Sequence, residues 1–446
     1  MSDHAGKRAR LLADLAAAPP GTRPTVSKPT SNLFRDRAGA SGNRVSLAHF
    51  DEVIGVDAAA GTVDAEGMIT YEALADATLA HGTMPAVVPQ LKSITLGGAV
   101  AGVGIEASSF RQGLVHDSVV ELDVLTGGGA IVTCTADNEH RDLFFGFPNS
   151  YGTLGYALRV RARTIPVRRY VAIEHIAHAD PAAYFDDLAR RCALADADFV
   201  DGVVFARDEL YVTVGHFTDE APQVSDYGFE HIYYRSIRDR TKDWLTVRDW
   251  LWRWDTDWFW CSKNVGAQLP LVRRLYGRKR LNSITYQKIM RWNSRWGLAR
   301  TLNRLRGLSS ESVIQDVDIP ISRAAEFLAF LHDEVGILPI WICPIRAPDP
   351  ARRPSLYPLA PGELSVNFGF WDAVTSREPL APGHRNRRIE AVTRELGGIK
   401  SLYSDSYFTE DEFWSIYDRD AWAALKRRYD PKGTLGDLYA KCVGRA

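Results

Sequence analysis

The chain has 446 residues, with Lys+Arg 54 against Asp+Glu 55; a net charge of −1 excludes a generally basic nucleic-acid binder, though not a local basic patch. Hydrophobic residues make up 46% and charged residues 24%, the balance of a globular protein, and the length exceeds one ordinary core, so two domains are expected. Cys134, Cys192, Cys261, Cys343 and Cys442 form no C-x-x-C pair, which excludes a disulfide framework or a cysteine-rich zinc site and fits reduced cytosolic thiols.

Residues 1–25 read as a flexible arm with one short helix, without the apolar core of a signal peptide. No stretch reaches the roughly 18 apolar residues of a membrane span, so membrane association is expected to be peripheral. Over 26–167 short apolar runs alternate with glycine turns. "YEALADATLAHG" has helical spacing and ends in Gly82, a suitable C-cap, while "VVELDVL" and "AIVTCT" form a hairpin around Gly127-Gly128-Gly129. From 168 to 400, "DPAAYFDDLARRCALAD" is an amphipathic helix, "DGVVFARDELYVTVGHF" a strand pair, and "GILPIWICPIR" and "GELSVNFGFW" further strands. In the closing 401–446, Thr409 and Glu412 suggest that a helix starts there, which Asp405 would cap. The class is α+β. His81, His116 and His216 are too far apart to suggest a metal set, and no metal is expected.

Eight of the 12 tryptophans lie between Trp244 and Trp296, five of them within "WLWRWDTDWFW". From Trp258 to Ser310 there are twelve Lys or Arg and no Asp or Glu. Tryptophan favours the membrane–water interface and basic side chains favour anionic lipid, so 244–310 is expected to face lipid. Core and subunit packing is the competing use, and no nucleic-acid motif accompanies the segment. Arginine outnumbers lysine about four to one, a bias commoner in high-GC bacteria.

"SITLGGAVAGVGIEASSF" contains Gly102-Val-Gly104-Ile-Glu-Ala107, which satisfies G-x-G-x-x-A. A dinucleotide-binding turn needs a buried strand before the first glycine and a long helix after the last. Here Gly97-Gly98 precede the motif and "SSFRQGLVHDS" follows it with no helical stripe, so the context excludes a Rossmann turn. Gly102 and Gly104 read instead as part of a longer glycine loop beginning at Gly97.

"VVPQLKSITLGGAVAGVGIEASSFRQG", followed by the hairpin and "DLFFGFPNSYGTLGYALRVRARTIPV", resembles the flavin domain of the vanillyl-alcohol oxidase and p-cresol methylhydroxylase (PCMH) superfamily. "LPIWICPIR", "ESVIQDVDIP", "LYSDSYFTEDEFWSIYD" and "DLYAKCV" narrow the resemblance to its Δ24-sterol reductase (diminuto-like) branch. The resemblance implies a PCMH-type FAD-binding domain over 26–167, an inserted α+β substrate (cap) domain over 168–400, and a segment 401–446 that returns to the first. It implies FAD contacts from Pro89, Gln90, Leu91, Ser93, Thr95, Gly97, Gly98, Gly102, Gly104, Ile105, Ser108, Ser109 and Gly113, and from Tyr151, Gly152, Thr153 and Gly155. Many superfamily members link FAD to a histidine in this loop. Ile105 stands there instead, which implies non-covalent FAD.

The implied activity is reduction of an unactivated lipid C=C bond, with NADPH or a redox partner as electron donor. A methylene-branched fatty acyl chain, as in 10-methylstearate synthesis, is the first expected substrate. A Δ24-sterol-type side chain is the alternative, and an alcohol or sugar oxidase or dehydrogenase the second enzyme class. Such an alkene needs protonation before hydride transfer, and Glu106, Tyr403, Asp405 and Tyr407 are the candidate acids. The expected partners are a fatty acyl phospholipid or sterol, an anionic membrane surface and a lipid methyltransferase, with no nucleic acid. The expected location is cytoplasmic, peripheral to the inner face of the membrane.

Overall fold

The computed structural model describes residues 3–19, 22–25, 44–194, 196–296, 307–349, 351, 354–378 and 380–443. The parts of the expected FAD domain at 26–43 and of the Trp/Arg segment at 297–306 lie outside the described residues. Two antiparallel sheets organise the chain. The first holds β1 (Val53–Asp57), β2 (Thr62–Glu66), β3 (Thr83–Pro85), β4 (Val119–Thr126), β5 (Ile131–Cys134) and β6 (Gly155–Pro166). Its order is β1-β2-β6-β4-β5, with β3 on β6. The hairpin turns at Gly127–Gly129, and Gly82, just past the helix Tyr71–Leu79, has φ +71°.

The second sheet holds β7 (Tyr170–His178), β8 (Phe199–Ala206), β9 (Glu209–Thr218), β10 (Lys242–Thr246), β11 (Ser309–Pro320), β12 (Ile340–Arg346), β13 (Leu364–Ser376) and β14 (Ile399–Lys400). Its order is β10-β7-β9-β8-β12-β13-β11-β14. Strand alternation sorts its side chains between two faces. Val200, Val204, Val317, Ile319, Val366 and Phe368 pack under the helices Pro181–Leu194 and Ala324–Phe330. The opposite face carries Asp201, Asp316, Asp318, Trp341, Cys343, Asn367, Gly369 and Trp371. It faces the first sheet's unit, where Trp341 and Cys343 join the core of that unit.

The last helices close the arrangement. Helix Arg419–Tyr429 lies on helix Arg141–Gly146, where Leu425 leaves no room for a Cβ at Gly146. Lys426 Nζ donates to Thr153 O at 3.1 Å, and Tyr429 OH donates to Asp142 at 2.7 Å.

Two expectations are corrected. The N-terminal segment is a docked helix, His4–Ala17, and not a loose arm. Leu11 is 1% exposed in a cluster with Leu47, Phe50, Met68, Leu125 and Leu158. Lys7 and His4 pair with the buried Glu66 at 2.7 and 2.8 Å, and Arg8 with Asp123 at 3.1 Å.

The tryptophan cluster does not face lipid. Trp250, Trp252, Trp254, Trp258 and Trp260 are all under 10% exposed. Trp254 stacks on Phe259 at 4.7 Å, and Phe259 meets Trp371 at 4.4 Å. The local cationic excess is misleading because the acids come from elsewhere in the chain. Lys263 pairs with Asp372, Arg273 with Asp257, and Arg278 with Asp226. Among the described residues no helix is long and apolar enough to cross a membrane.

Candidate functional site

The two glycine segments meet. The first forms a short helix, Leu96–Gly102, and not a loop; Val103 then takes φ +59° to end it. The second, Asn149 to Gly155, holds Asn149 at φ +61°, Tyr151 at +48° and Gly152 at +76°. Positive φ at non-glycine residues is strained and collects at functional sites. Tyr151 N donates to Ala101 O at 3.1 Å, and Tyr151 OH donates to Gly102 O at 2.9 Å.

The residues expected to hold a cofactor divide by what already occupies them. At Gly97 a Cβ would meet Gly67 O at 2.9 Å, and at Gly104 it would meet Val115 and Pro89 at 2.6 and 2.9 Å. These glycines allow protein segments to approach one another. Ser108 Oγ donates to Ala86 O, Ser109 Oγ accepts from Glu106 N, and Thr153 Oγ1 donates to Ser150 O. The backbones at Gly113 and Gly155 approach Asp117 and Leu125 O. Ile105 and Leu91 are each 8% exposed, within the core. Ser93 and Thr95 precede the helix, both buried.

Polar atoms with nothing to bond remain beside these. Gln90 Nε2, Asn149 Oδ1 and Ser150 Oγ are buried and unpartnered. The exposed Gly98 stands in the helix's first turn, where N–H groups have no intrahelical acceptor. Asn149 and Ser150 escaped the sequence reading because neither belongs to the glycine pattern.

The second glycine segment also touches the polar face of the second sheet. Asn149 Nδ2 donates to Leu356 O at 2.7 Å, and the adjacent Tyr357 OH donates to Asp318 at 2.5 Å. Asn367 Nδ2 donates to the other Asp318 oxygen at 2.7 Å. Burial pushes the Asp318 carboxyl up to about 6 against these two donors. Two residues away, Asp316 accepts from the Tyr403 hydroxyl, which itself accepts from Trp371 Nε1 at 2.8 Å. Burial raises the Asp316 carboxyl well above the usual range. Its Oδ1 is shut from solvent and has no partner. Phe259 and Trp260 pack on Trp371, and Trp341 packs on Phe259.

Of the four candidate acids, Tyr403 alone lies in this group. Tyr407 packs against Arg387, its ring centre 5.4 Å from the guanidinium, and its backbone N–H donates to Glu390. Asp405 offers its carbonyl to Lys400 Nζ at 2.6 Å and does not cap the following helix, which Thr409 caps. Glu106 is fully buried; its Oε1 is ion-paired to Arg253 at 3.2 Å, and its Oε2, like Asp316 Oδ1, has no partner, so what sets it apart from Asp316 is the cation beside it. Burial pushes it up to about 7, Arg253 pulls it down, and Asp201 pushes it up. It joins the two units, because Arg253 also binds Asp201 at 2.8 Å and Cys343 Sγ donates to Glu106 O.

Residues 25–135 match a family model described as FAD binding domain. The chain is similar to the Delta(24)-sterol reductase of Mus musculus, 26% identical over 374 residues, which cover 80% of this chain and 69% of the relative. The Arabidopsis thaliana Delta(24)-sterol reductase is 25% identical over 434 residues, 89% of this chain and 76% of the relative. Cytokinin dehydrogenase 7 of Oryza sativa subsp. japonica is 32% identical over 202 residues, 43% of this chain and 38% of that protein. The chain is thus an α+β protein with an FAD-binding domain. The unpartnered atoms of Gln90 and Ser150 and the open helix turn at Gly98 suit such a group, since all are hydrogen-bonding positions, Gln90 and Gly98 inside the matched region and Ser150 on the glycine segment that meets it.

Proposed function

We propose that the protein is an FAD-dependent oxidoreductase that reduces an isolated C=C bond in a lipid, with NADPH as electron donor. The names of the relatives favour a sterol-type branched side chain over the methylene-branched acyl chain that the sequence put first. The observation that carries the reading is an acid with an unpartnered oxygen, Asp316, held by Tyr403 and lying at Gly369 beside the Trp371 ring, on which Phe259 and Trp260 pack. An apolar wall suits a hydrocarbon, and a protonated carboxyl suits an alkene that no carbonyl activates.

When bound and reduced, FAD supplies the hydride. Gly98 N–H, Gln90 Nε2 and Ser150 Oγ would hold it, without a covalent bond because Ile105 offers no nucleophile. The aromatic side chains exclude water and seat the alkene; Asp316 and Tyr403 manage the proton. The test mixes anaerobic, dithionite-reduced protein with a Δ24-unsaturated sterol or a methylene-branched phospholipid. A product heavier by two hydrogens is expected by mass spectrometry. Bleaching of the oxidised flavin by an alcohol or sugar, with neither lipid reduced, would assign an oxidase instead.

The lipid-facing role passes from the buried tryptophans to the helix Pro270–Tyr276 and its surroundings. Leu269, Leu271 and Leu275 are 61%, 75% and 81% exposed, and Trp292 is 57% exposed. Leu271 and Leu275 stand one turn apart on one side of the helix, and Lys279, Arg280 and Lys288 are exposed nearby in sequence. Each basic residue near anionic lipid contributes about 1 kcal/mol. The protein is expected to sediment with phosphatidylcholine vesicles containing phosphatidylglycerol and not with phosphatidylcholine alone. Leu271→Glu with Leu275→Glu should abolish this; unchanged sedimentation removes the docking face.

A further inference from the structure

The inner face of the second sheet carries two acids two residues apart, Asp316 and Asp318, and their surroundings assign them different work. Both oxygens of Asp318 are engaged, one by Asn367 and one by Tyr357. It is a bracket between β11, β13 and the segment beside the second glycine turn. Asp316 has one engaged oxygen and one with no partner.

The hydrogen-bond chain fixes which atom carries the proton. Trp371 Nε1 can only donate, so the Tyr403 oxygen accepts from it and the Tyr403 hydroxyl hydrogen is directed to Asp316. That leaves Oδ1, the unpartnered oxygen, to carry the hydrogen of a protonated Asp316. The register keeps this atom uncovered from across the sheet. Asp316 pairs with Gly369, where a Cβ would stand 2.8 Å from Oδ1 and 2.6 Å from the Trp371 ring. Charged or titratable neighbours are Tyr403 from the segment after β14 and Asp318 on the same strand. Neither is a cation that would hold the carboxyl ionised, and the aromatic wall disfavours its charge.

We propose that Asp316 is the proton donor of the reduction described above, with Tyr403 as the positioning residue that aims its free oxygen. The inference rests on the lipid-alkene reading. In the reaction the alkene π pair takes the proton from Asp316 Oδ1 at the less substituted carbon. The positive charge falls on the tertiary carbon, to which bound, reduced FAD would supply the hydride. The lipid gains two hydrogens, bound FAD would give up two electrons, and the Asp316 carboxylate recovers its proton from water that follows release of the product.

The test uses full-length FAD-loaded protein, reduced by dithionite without oxygen. Asp316→Asn is expected to keep its flavin absorbance and its reduction by dithionite, while reoxidation by the lipid alkene slows at least 100-fold, as befits loss of a general acid. Wild-type reoxidation should fall as pH rises through the titration of Asp316, and Asp316→Asn should lack that limb. Tyr403→Phe removes a donor that favours the carboxylate, so its limb should move to higher pH. A purely structural tyrosine would not shift it. Infrared spectra give a readout apart from turnover, because a protonated-carboxyl C=O band present in wild type should be missing from Asp316→Asn. Wild-type rates in Asp316→Asn, or no lost band, overturn the donor assignment alone. Wild-type protein that reduces neither lipid overturns the reductase reading and the donor role together.

Discussion

Arg253→Met is expected to destabilise the protein by about 3–5 kcal/mol, the usual penalty for removing one partner of a buried ion pair. The Arg253 side chain has no exposed surface, binds Glu106 and Asp201, and lies 3.6 Å over the Trp250 ring. Glu106 belongs to the turn after the glycine helix and Asp201 to β8, so one guanidinium ties both units together. Methionine preserves much of the packing on Trp250 and leaves two buried carboxylates facing each other. The pH dependence follows from the raised pKa. A carboxyl that titrates near 7 in the fold, against 4.5 ordinarily, contributes stability that is complete below 4.5 and lost as pH rises through 7. Without Arg253 the folded pKa rises further, so the variant's deficit should be small at pH 5 and large at pH 8. Urea midpoints at the two pH values measure it. Equal deficits at both would show that Arg253 acts through packing alone. Adding Glu106→Gln should recover part of the loss at pH 8.

The sequence made local patterns legible and long-range pairings illegible. Helix Tyr71–Leu79, the Gly127–Gly129 hairpin and the helix start at Thr409 are each written within about seventeen consecutive residues or fewer, and each is present. The glycine stretch was half legible. Its position beside a second glycine segment is seen, yet Gly97 and Gly104 are glycines because Gly67 O, Pro89 and Val115 crowd them. Those neighbours are at least eleven residues away in the chain, so composition alone could not tell close protein packing from close approach of a ligand.

The tryptophan segment misled for the same reason. A run of twelve cations without acids overstates the unpaired charge when partners are sought only nearby. Asp372 and Asp226 lie outside the run, and the tryptophans stack on residues as distant as Trp371. Asp316 stood in plain view within "ESVIQDVDIP". Its significance depends on the register with Gly369 and on Tyr403, which no strand pattern discloses.

Lys400 is another residue that the sequence could not single out, and its replacement should be nearly as damaging as that of Arg253. Its ammonium is fully buried, 2.6 Å from Glu390 Oε1 and 2.6 Å from Asp405 O. Glu390 also accepts from Tyr407 N, and Tyr417 OH donates to Lys400 O. One cation therefore pins the segment 401–407, which carries Tyr403, to the helix His384–Glu395. Lys400→Met is expected to cost about 3–5 kcal/mol, because Glu390, its carboxyl already pushed up by burial, is left 3% exposed without its cation. Adding Glu390→Leu removes the stranded charge and should restore most of the urea midpoint. It does not restore the donor to Asp405 O. Backbone hydrogen exchange over 401–407 should therefore remain faster than wild type in the double variant, even with the global fold recovered. Exchange that returns to the wild-type rate along with stability would mean that Lys400 only neutralises Glu390 and that something else holds Tyr403 in place.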